Sequence, residues 1–198
     1  MGLFQEKINL GLPNSDITYF PDFLSPIKAQ TYFKALKNNV PWQQDDIKVF
    51  GKIYAQPRLT ALYASNKKAY TYSNITMHPH TFSGELLEIK QNLERDVGIV
   101  FTTCLVNRYR DGKDSNGWHA DDEKELGQNP IIASVSLGEQ RYFHLRHKED
   151  KALKHKILLE NGSLLLMKGE TQHFWQHQIP KTAKKIGERI NLTFRIIK

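Results

Sequence analysis

The sequence predicts an α+β chain, mainly β, with a jelly-roll or related barrel core and helices packed outside one sheet. Three observations lead there. Apolar residues recur at helical spacing in two early segments, and after about residue 100 they alternate with a period of two. Two of the later segments also carry polar faces of unusual composition.

The first helix is expected from Ser25-Pro26, an N-cap followed by proline at the first helical position. Ile27, Phe33, Leu36 and Val40 mark its apolar stripe. A second helix is expected after Ser83, ending near Gly98, with Leu86, Leu87, Lys90, Leu93 and Val97 along it. The segments "FTTCLVNRY", "IIASVSLG", "QRYFHLR", "SLLLMKG" and "RINLTFRII" then read as short strands between turns rich in glycine, aspartate, asparagine and lysine.

In "RINLTFRII", Ile190, Leu192, Phe194 and Ile196 form one face, and Arg189, Asn191, Thr193 and Arg195 the other. In "FTTCLVNRY", Asn107 and Tyr109 share a side. Such faces either meet solvent or line a cavity. Two guanidiniums in a cavity need an anion, and a dicarboxylate fits because arginine binds carboxylates bidentately.

"GWHADDE" (Gly117 to Glu123) holds the densest cluster of ligand-type groups. His119 and Asp121 fall on one side of an extended segment, and His177 in "FWQHQIP" offers a third ligand. Two histidines and one carboxylate on one face of an octahedron leave three positions open, the facial triad of non-haem Fe(II) oxygenases. A zinc hydrolase could use the same triad, with Glu123 as its base, but has no need of the double-arginine strand.

The composition is that of a soluble globular protein: 198 residues, 39% apolar, 25% charged. No run approaches the roughly 18 apolar residues of a membrane helix, and no secretory signal is seen. Cys104 is the sole cysteine, which excludes an intrachain disulfide and fits a reducing compartment. A net charge of +7 is consistent with a polyanionic partner or with a lysine-rich solvated surface.

Taken together, "NRYRDGKDSNGWHADDE", "IIASVSLG", "RYFHLRHK", "NGSLLLMKG", "WQHQIPK" and "RINLTFR" resemble the AlkB family of Fe(II)/2-oxoglutarate dioxygenases, in particular the branch with the two human DNA-repair homologues. The match runs from about Val49 to Ile197. The resemblance implies one domain over 1–198, with a double-stranded β-helix core over about 100–197 and a nucleotide-recognition hairpin lid over about 45–85. It implies Fe(II) held by His119, Asp121 and His177, and 2-oxoglutarate held by Asn107, Tyr109, Arg189, Asn191, Thr193 and Arg195, with dioxygen as second co-substrate. Which arginine meets which carboxylate stays open at this level.

The implied activity is DNA repair by oxidative demethylation of N-alkylated bases such as 1-methyladenine and 3-methylcytosine, a direct reversal that releases formaldehyde and succinate. The lesion has to leave the stack to reach the metal. "HTFSG" resembles the segment whose ring covers the flipped base, which assigns Phe82 that role with His80 and Ser83 beside it. "VFGK" resembles the finger that fills the gap, with Phe50 as wedge and Lys52 near a phosphate. Arg58 matches a position near the nucleic acid. Asp122 and Glu123 would favour a cationic methylated base. Lysines 67, 68, 148, 151, 154, 156, 181, 184 and 185 form a candidate phosphate-tracking set. The expected partner is alkylated DNA, single- or double-stranded, with methylated RNA as the alternative substrate. The expected state is a monomer off the membrane, in the cytoplasm or in a eukaryotic nucleus. A non-catalytic nucleic-acid-binding module would have lost a ligand or a terminal arginine, and none is lost.

Overall fold

The computed structural model describes residues 7–49, 52–66, 70–72 and 75–197. Two short strands, β1 (Ile8–Asn9) and β2 (Asp16–Phe20), precede helix α1 (Pro26–Asn39). Next come β3 (Asp46–Val49), β4 (Lys52–Ala55), β5 (Leu59–Ala64), β6 (Tyr70–Tyr72) and β7 (Ile75–Met77). Helix α2 (Gly84–Val97) leads into β8 (Thr103–Tyr109), β9 (Asn116–His119) and a 3-10 turn over Lys124–Leu126. The chain then runs through β10 (Ile132–Gly138), β11 (Arg141–His147), β12 (Lys154–Leu159) and β13 (Leu164–Lys168). The short helix α3 (Thr171–Phe174), β14 (Trp175–Ile179) and β15 (Arg189–Arg195) complete it.

Two antiparallel sheets face each other. The large one has the order β1-β2-β13-β10-β15-β8-β5 and the small one β12-β11-β14-β9. Hairpins β3–β4 and β6–β7 stand apart from both. Because side chains alternate along a strand, the large sheet feeds two cores. Val135, Leu137, Ile190, Leu192, Phe194, Cys104 and Val106 pack outward against the two long helices. Leu105, Tyr109, Ile132, Leu165 and Met167 pack inward against Phe143, Leu145, Trp175 and Ile179 of the small sheet. Among the described residues, no helix is long and apolar enough to cross a membrane.

Helix α1 begins as expected: Ser25 Oγ accepts from the Lys28 N–H at 3.4 Å and Pro26 takes the first turn. Its buried face differs from the expected stripe, however. Ile27 is 81% exposed, while Ala29, Tyr32 and Leu36 are buried. Spacings of three and four from Ala29 reach the core, and Ile27 falls off that face. Helix α2 buries Leu86, Ile89, Lys90 and Leu93 and ends at Gly98, whose φ of 71° lies in the left-handed region that glycine adopts without a Cβ clash. Within 45–85, β5 is a full strand of the large sheet, so only the two hairpins and the loops around them are free of it.

Candidate metal and co-substrate site

The polar face of β15 is not in solvent. All seven residues of the strand are buried, with Arg189, Asn191, Thr193 and Arg195 turned into the space between the sheets. Strand β8 lies directly alongside, Arg189 opposite Tyr109 and Asn191 opposite Asn107. Across that space the small sheet contributes His119 and His177, which are cross-strand neighbours on β9 and β14. Their rings meet edge-on with centroids 4.3 Å apart. Asp121 follows just past the end of β9, and one ligand atom from each of the three lies within 4.8 Å of the others.

Each ligand is aimed by neighbours. His119 Nδ1 sits 2.8 Å from the Gly117 carbonyl, which assigns the proton to Nδ1 and leaves the Nε2 lone pair inward. The Asn116 amide lies 3.2 Å from that Nε2. Asn116 faces inward because β9 carries one more residue than β14 between their paired positions, a bulge that breaks the two-residue alternation. His177 stacks on Phe143 at 5.0 Å. Asp121 Oδ1 accepts from Arg195 Nη2 at 2.8 Å. The Asp121 backbone N–H, beyond the reach of any ladder, donates to Gln172 Oε1 at 2.9 Å.

These surroundings set the charges. Burial opposes ionisation of Asp121, but the positive charge of Arg195, joined by the two histidines once acid protonates them, outweighs it and holds the carboxyl at about 2. Burial, reinforced by His119, depresses His177 to about 3. Burial likewise lowers His119. At neutral pH the site therefore offers two neutral imidazoles and one carboxylate, the protonation states a divalent metal requires.

Arg189 is the other electrostatic feature. It is 1% exposed, and burial depresses its guanidinium to about 10. Nη2 donates to Ser136 Oγ at 2.9 Å, while Nε and Nη1 have no hydrogen-bond partner among the described residues. Tyr109 lies against it at 5.3 Å. A buried cation with two donors left over is costly unless an anion completes it. Asn191 donates to Ser134 Oγ at 2.8 Å and accepts from Thr193 Oγ1 at 3.0 Å, which orients both toward the same space.

The chain matches the family model of the 2OG-Fe(II) oxygenase superfamily over residues 16–195. It is 42% identical over 197 residues to alpha-ketoglutarate-dependent dioxygenase alkB homolog 3 of Bos taurus and 40% identical to that of Homo sapiens. It belongs to the AlkB family of that superfamily. Each of those alignments covers 92% of this chain and 66% of the relative, so the chain spans just under two thirds of their length. It is also 38% identical over 221 residues to the protein named DNA oxidative demethylase ALKBH2 of Arabidopsis thaliana, covering 98% of this chain and 69% of that one. A solved structure of OsALKBH1 superposes with a TM-score of 0.65 at 16% identity, over 91% of this chain and 96% of that one, which shows the shared fold.

The cofactors of the superfamily are Fe(II), 2-oxoglutarate and dioxygen, and this family member has the donors for them. The triad supplies three hard or borderline ligands on one side. The unfilled donors of Arg189 supply the cation a dicarboxylate needs.

The residues expected at the nucleic acid are scattered. Phe82 is 7% exposed and packs in the helix-side core, its ring 6.0 Å from Tyr63 and beneath the Lys90 ammonium. Tyr63 is paired with Cys104 and shares the helix side of the large sheet with it, and Phe82 does not border the cavity that holds the triad. Ser83 is the N-cap residue of α2, and His80 rests against Tyr63 at 5.5 Å on the same outer side. Arg58 is 3% exposed and its Nε donates to Asn107 Oδ1 at 2.8 Å. Its Nη1 donates to Asn116 Oδ1 at 3.1 Å. Arg58 thus braces β8 against β9 from within. Lys52 is exposed on β4, and Phe50 lies outside the described residues. Asp122 is exposed and paired with Lys148 at 3.0 Å. Glu123 precedes the 3-10 turn, half-buried, and neither acid borders the cavity that holds the triad.

Sequence reasoning passed over Asn116, Gln172, Ser134 and Ser136. The two serines were readable, since they share one side of "IIASVSLG". Asn116 depends on a bulge, and Gln172 on a short helix touching a distant loop. Neither leaves a local pattern.

Proposed function

We propose that this chain repairs DNA by oxidative demethylation of N-alkylated bases, with 1-methyladenine and 3-methylcytosine as substrates and formaldehyde and succinate as products. The observation that carries this reading is the pairing of a buried His119–Asp121–His177 cluster with the unsatisfied Arg189 guanidinium across one cavity. The names of the relatives supply the substrate class.

Bound iron and 2-oxoglutarate supply the oxidising chemistry that breaks the strong C–H bond of the methyl group. The protein's own residues orient and shield. Arg195, beside Asp121 on β15, would hold one carboxylate of the co-substrate, and Arg189, six residues along, would hold the other. Asn191 and Thr193 line the path between them, and Asn107, held by Arg58, borders it from β8. The apolar walls formed by Leu105, Ile132, Phe143, Met167 and Ile179 exclude water from the reacting centre. The reading places the enzyme in the cytoplasm, or in the nucleus of a eukaryote, acting as a monomer.

The test is to incubate the protein with Fe(II), 2-oxoglutarate, ascorbate and an oligonucleotide bearing one 1-methyladenine, single-stranded and then in duplex, and to weigh the oligonucleotide. Loss of one methylene, abolished in His119→Ala, is expected. An unchanged DNA mass from iron-loaded protein overturns the DNA reading, and the same assay on methylated RNA then tests the other nucleic acid.

A further inference from the structure

The two sheets differ in what covers their outer faces. The large sheet carries α1 and α2. Among the described residues neither long helix packs on the small sheet. Its four strands, "NGWH", "RYFHLRH", "KHKILL" and "WQHQI", hold no aspartate or glutamate, although the chain has 21 acidic residues. Alternation turns His119, His177, Phe143 and Leu145 inward, and Trp118, Tyr142, His144, Arg146 and Lys156 outward. Lys154 stands beside Arg146 in the next strand.

Rings and cations interleave on this outer face. Lys156 Nζ lies 4.1 Å from the centroid of Tyr142, a ring 45% exposed. The Arg146 guanidinium lies 4.3 Å over Trp118, reaching across β14, where the Gln176 side chain accepts from it at 2.8 Å. A polar, acid-free sheet with exposed lysines and standing aromatic rings matches a polyanion that also presents flat faces. Trp118 and His119 are adjacent on β9, the edge strand, one facing out and the other into the pocket. A chain with one base in the pocket can cross that edge onto the outer face.

We infer that the outer face of the small sheet is a docking track for single-stranded nucleic acid flanking the base in the pocket. Lys154 and Lys156 meet phosphates, and Tyr142 stacks a base. This inference rests on the nucleic-acid reading above and not on the demethylation chemistry.

The test is fluorescence anisotropy of an undamaged single-stranded oligonucleotide of roughly 16 nucleotides, the upper site size of a single-strand-binding module, with the full chain and no added iron. Lys154→Glu/Lys156→Glu is expected to weaken binding at least about tenfold and to lower the slope of log affinity against log salt by about 1.4, two phosphate contacts' worth. Tyr142→Ala is expected to cost about fivefold or more from lost stacking. The control pair Lys28→Glu/Lys34→Glu, on α1, removes the same charge from the opposite side and should leave the salt slope unchanged. Equal loss in both double variants would reduce the effect to net charge and overturn the inference, as would native affinity in Lys154→Glu/Lys156→Glu. Because binding is read without turnover, an inactive protein that still binds through this face would sink the demethylase reading alone.

Discussion

The β15 half of the candidate site and the His119–Asp121–His177 half are built by different means. Arg189 through Arg195 lie on a strand paired along its whole length with β8 on one side and, as far as Phe194, with β10 on the other, without a register break. The ladder itself fixes those side chains. Of the candidate metal ligands, His119 sits on an edge strand with a bulge, Asp121 lies beyond its end, and His177 stands on the adjoining interior strand. There, side chains do the holding: Gln172 on the Asp121 N–H, Arg195 on its carboxylate, Asn116 at the His119 ring. A strand in the middle of a sheet tolerates loss of one supporting contact. A loop held by single hydrogen bonds does not.

Substitutions on each side sharpen that contrast. The largest effect is expected from His177→Ala, which removes a ligand and should weaken Fe(II) or Mn(II) binding by more than about 100-fold, beyond the range for supporting contacts. Calorimetric titration measures it, and near-native affinity would exclude His177 from the metal. Next is Arg189→Leu. It should raise the 2-oxoglutarate KM about 100-fold through loss of charge-assisted hydrogen bonds. It should also leave the melting temperature of the ligand-free protein equal or higher, because the unpaired buried cation is gone. A lower melting temperature with normal KM would make Arg189 a structural residue.

A smaller effect is expected from Gln172→Leu, a near-isosteric change that strands the Asp121 N–H. Metal affinity should fall about tenfold while 2-oxoglutarate binding to β15 holds. Equal losses of both would mean that the two halves are not independently built. The smallest concerns Glu188, outside the lining of the pocket, which binds Lys37 at 2.7 Å and Arg108 at 2.7 Å. Burial opposes its charge, but the hydrogen bonds from Lys37 and Arg108 outweigh it and hold the carboxyl below its ordinary 4.5. A depressed carboxyl contributes stability above its unfolded value and loses it as the pH falls through the folded one. Melting curves of the native chain should therefore drop more steeply than those of Glu188→Gln below about pH 5, with a difference of about 1 kcal/mol or less at neutral pH. Parallel curves would show the ion pairs to be inert.

The same contrast explains what was legible in the sequence. Arg189, Asn191, Thr193 and Arg195 announce themselves through a strict two-residue period, and a strand buried on both faces keeps that period intact. His119 and Asp121 were legible by spacing and His177 by its strand. The packing of Phe82 against Tyr63 was not legible, because it depends on which face of β5 Tyr63 takes. Arg58 reads as a position near the nucleic acid, and only the fold shows it bonded to Asn107 and Asn116. Long-range pairing decided each of these, and no window of local sequence contains it.

The 2.8 Å contact between Arg195 and Asp121 ties the polar face of β15 to the candidate metal cluster through one guanidinium. Whatever factor the metal applies to co-substrate affinity, the co-substrate must apply to metal affinity, since the cycle closes. Binding at one end of this contact is thereby read at the other, by one and the same factor, to the extent that a single guanidinium transmits it.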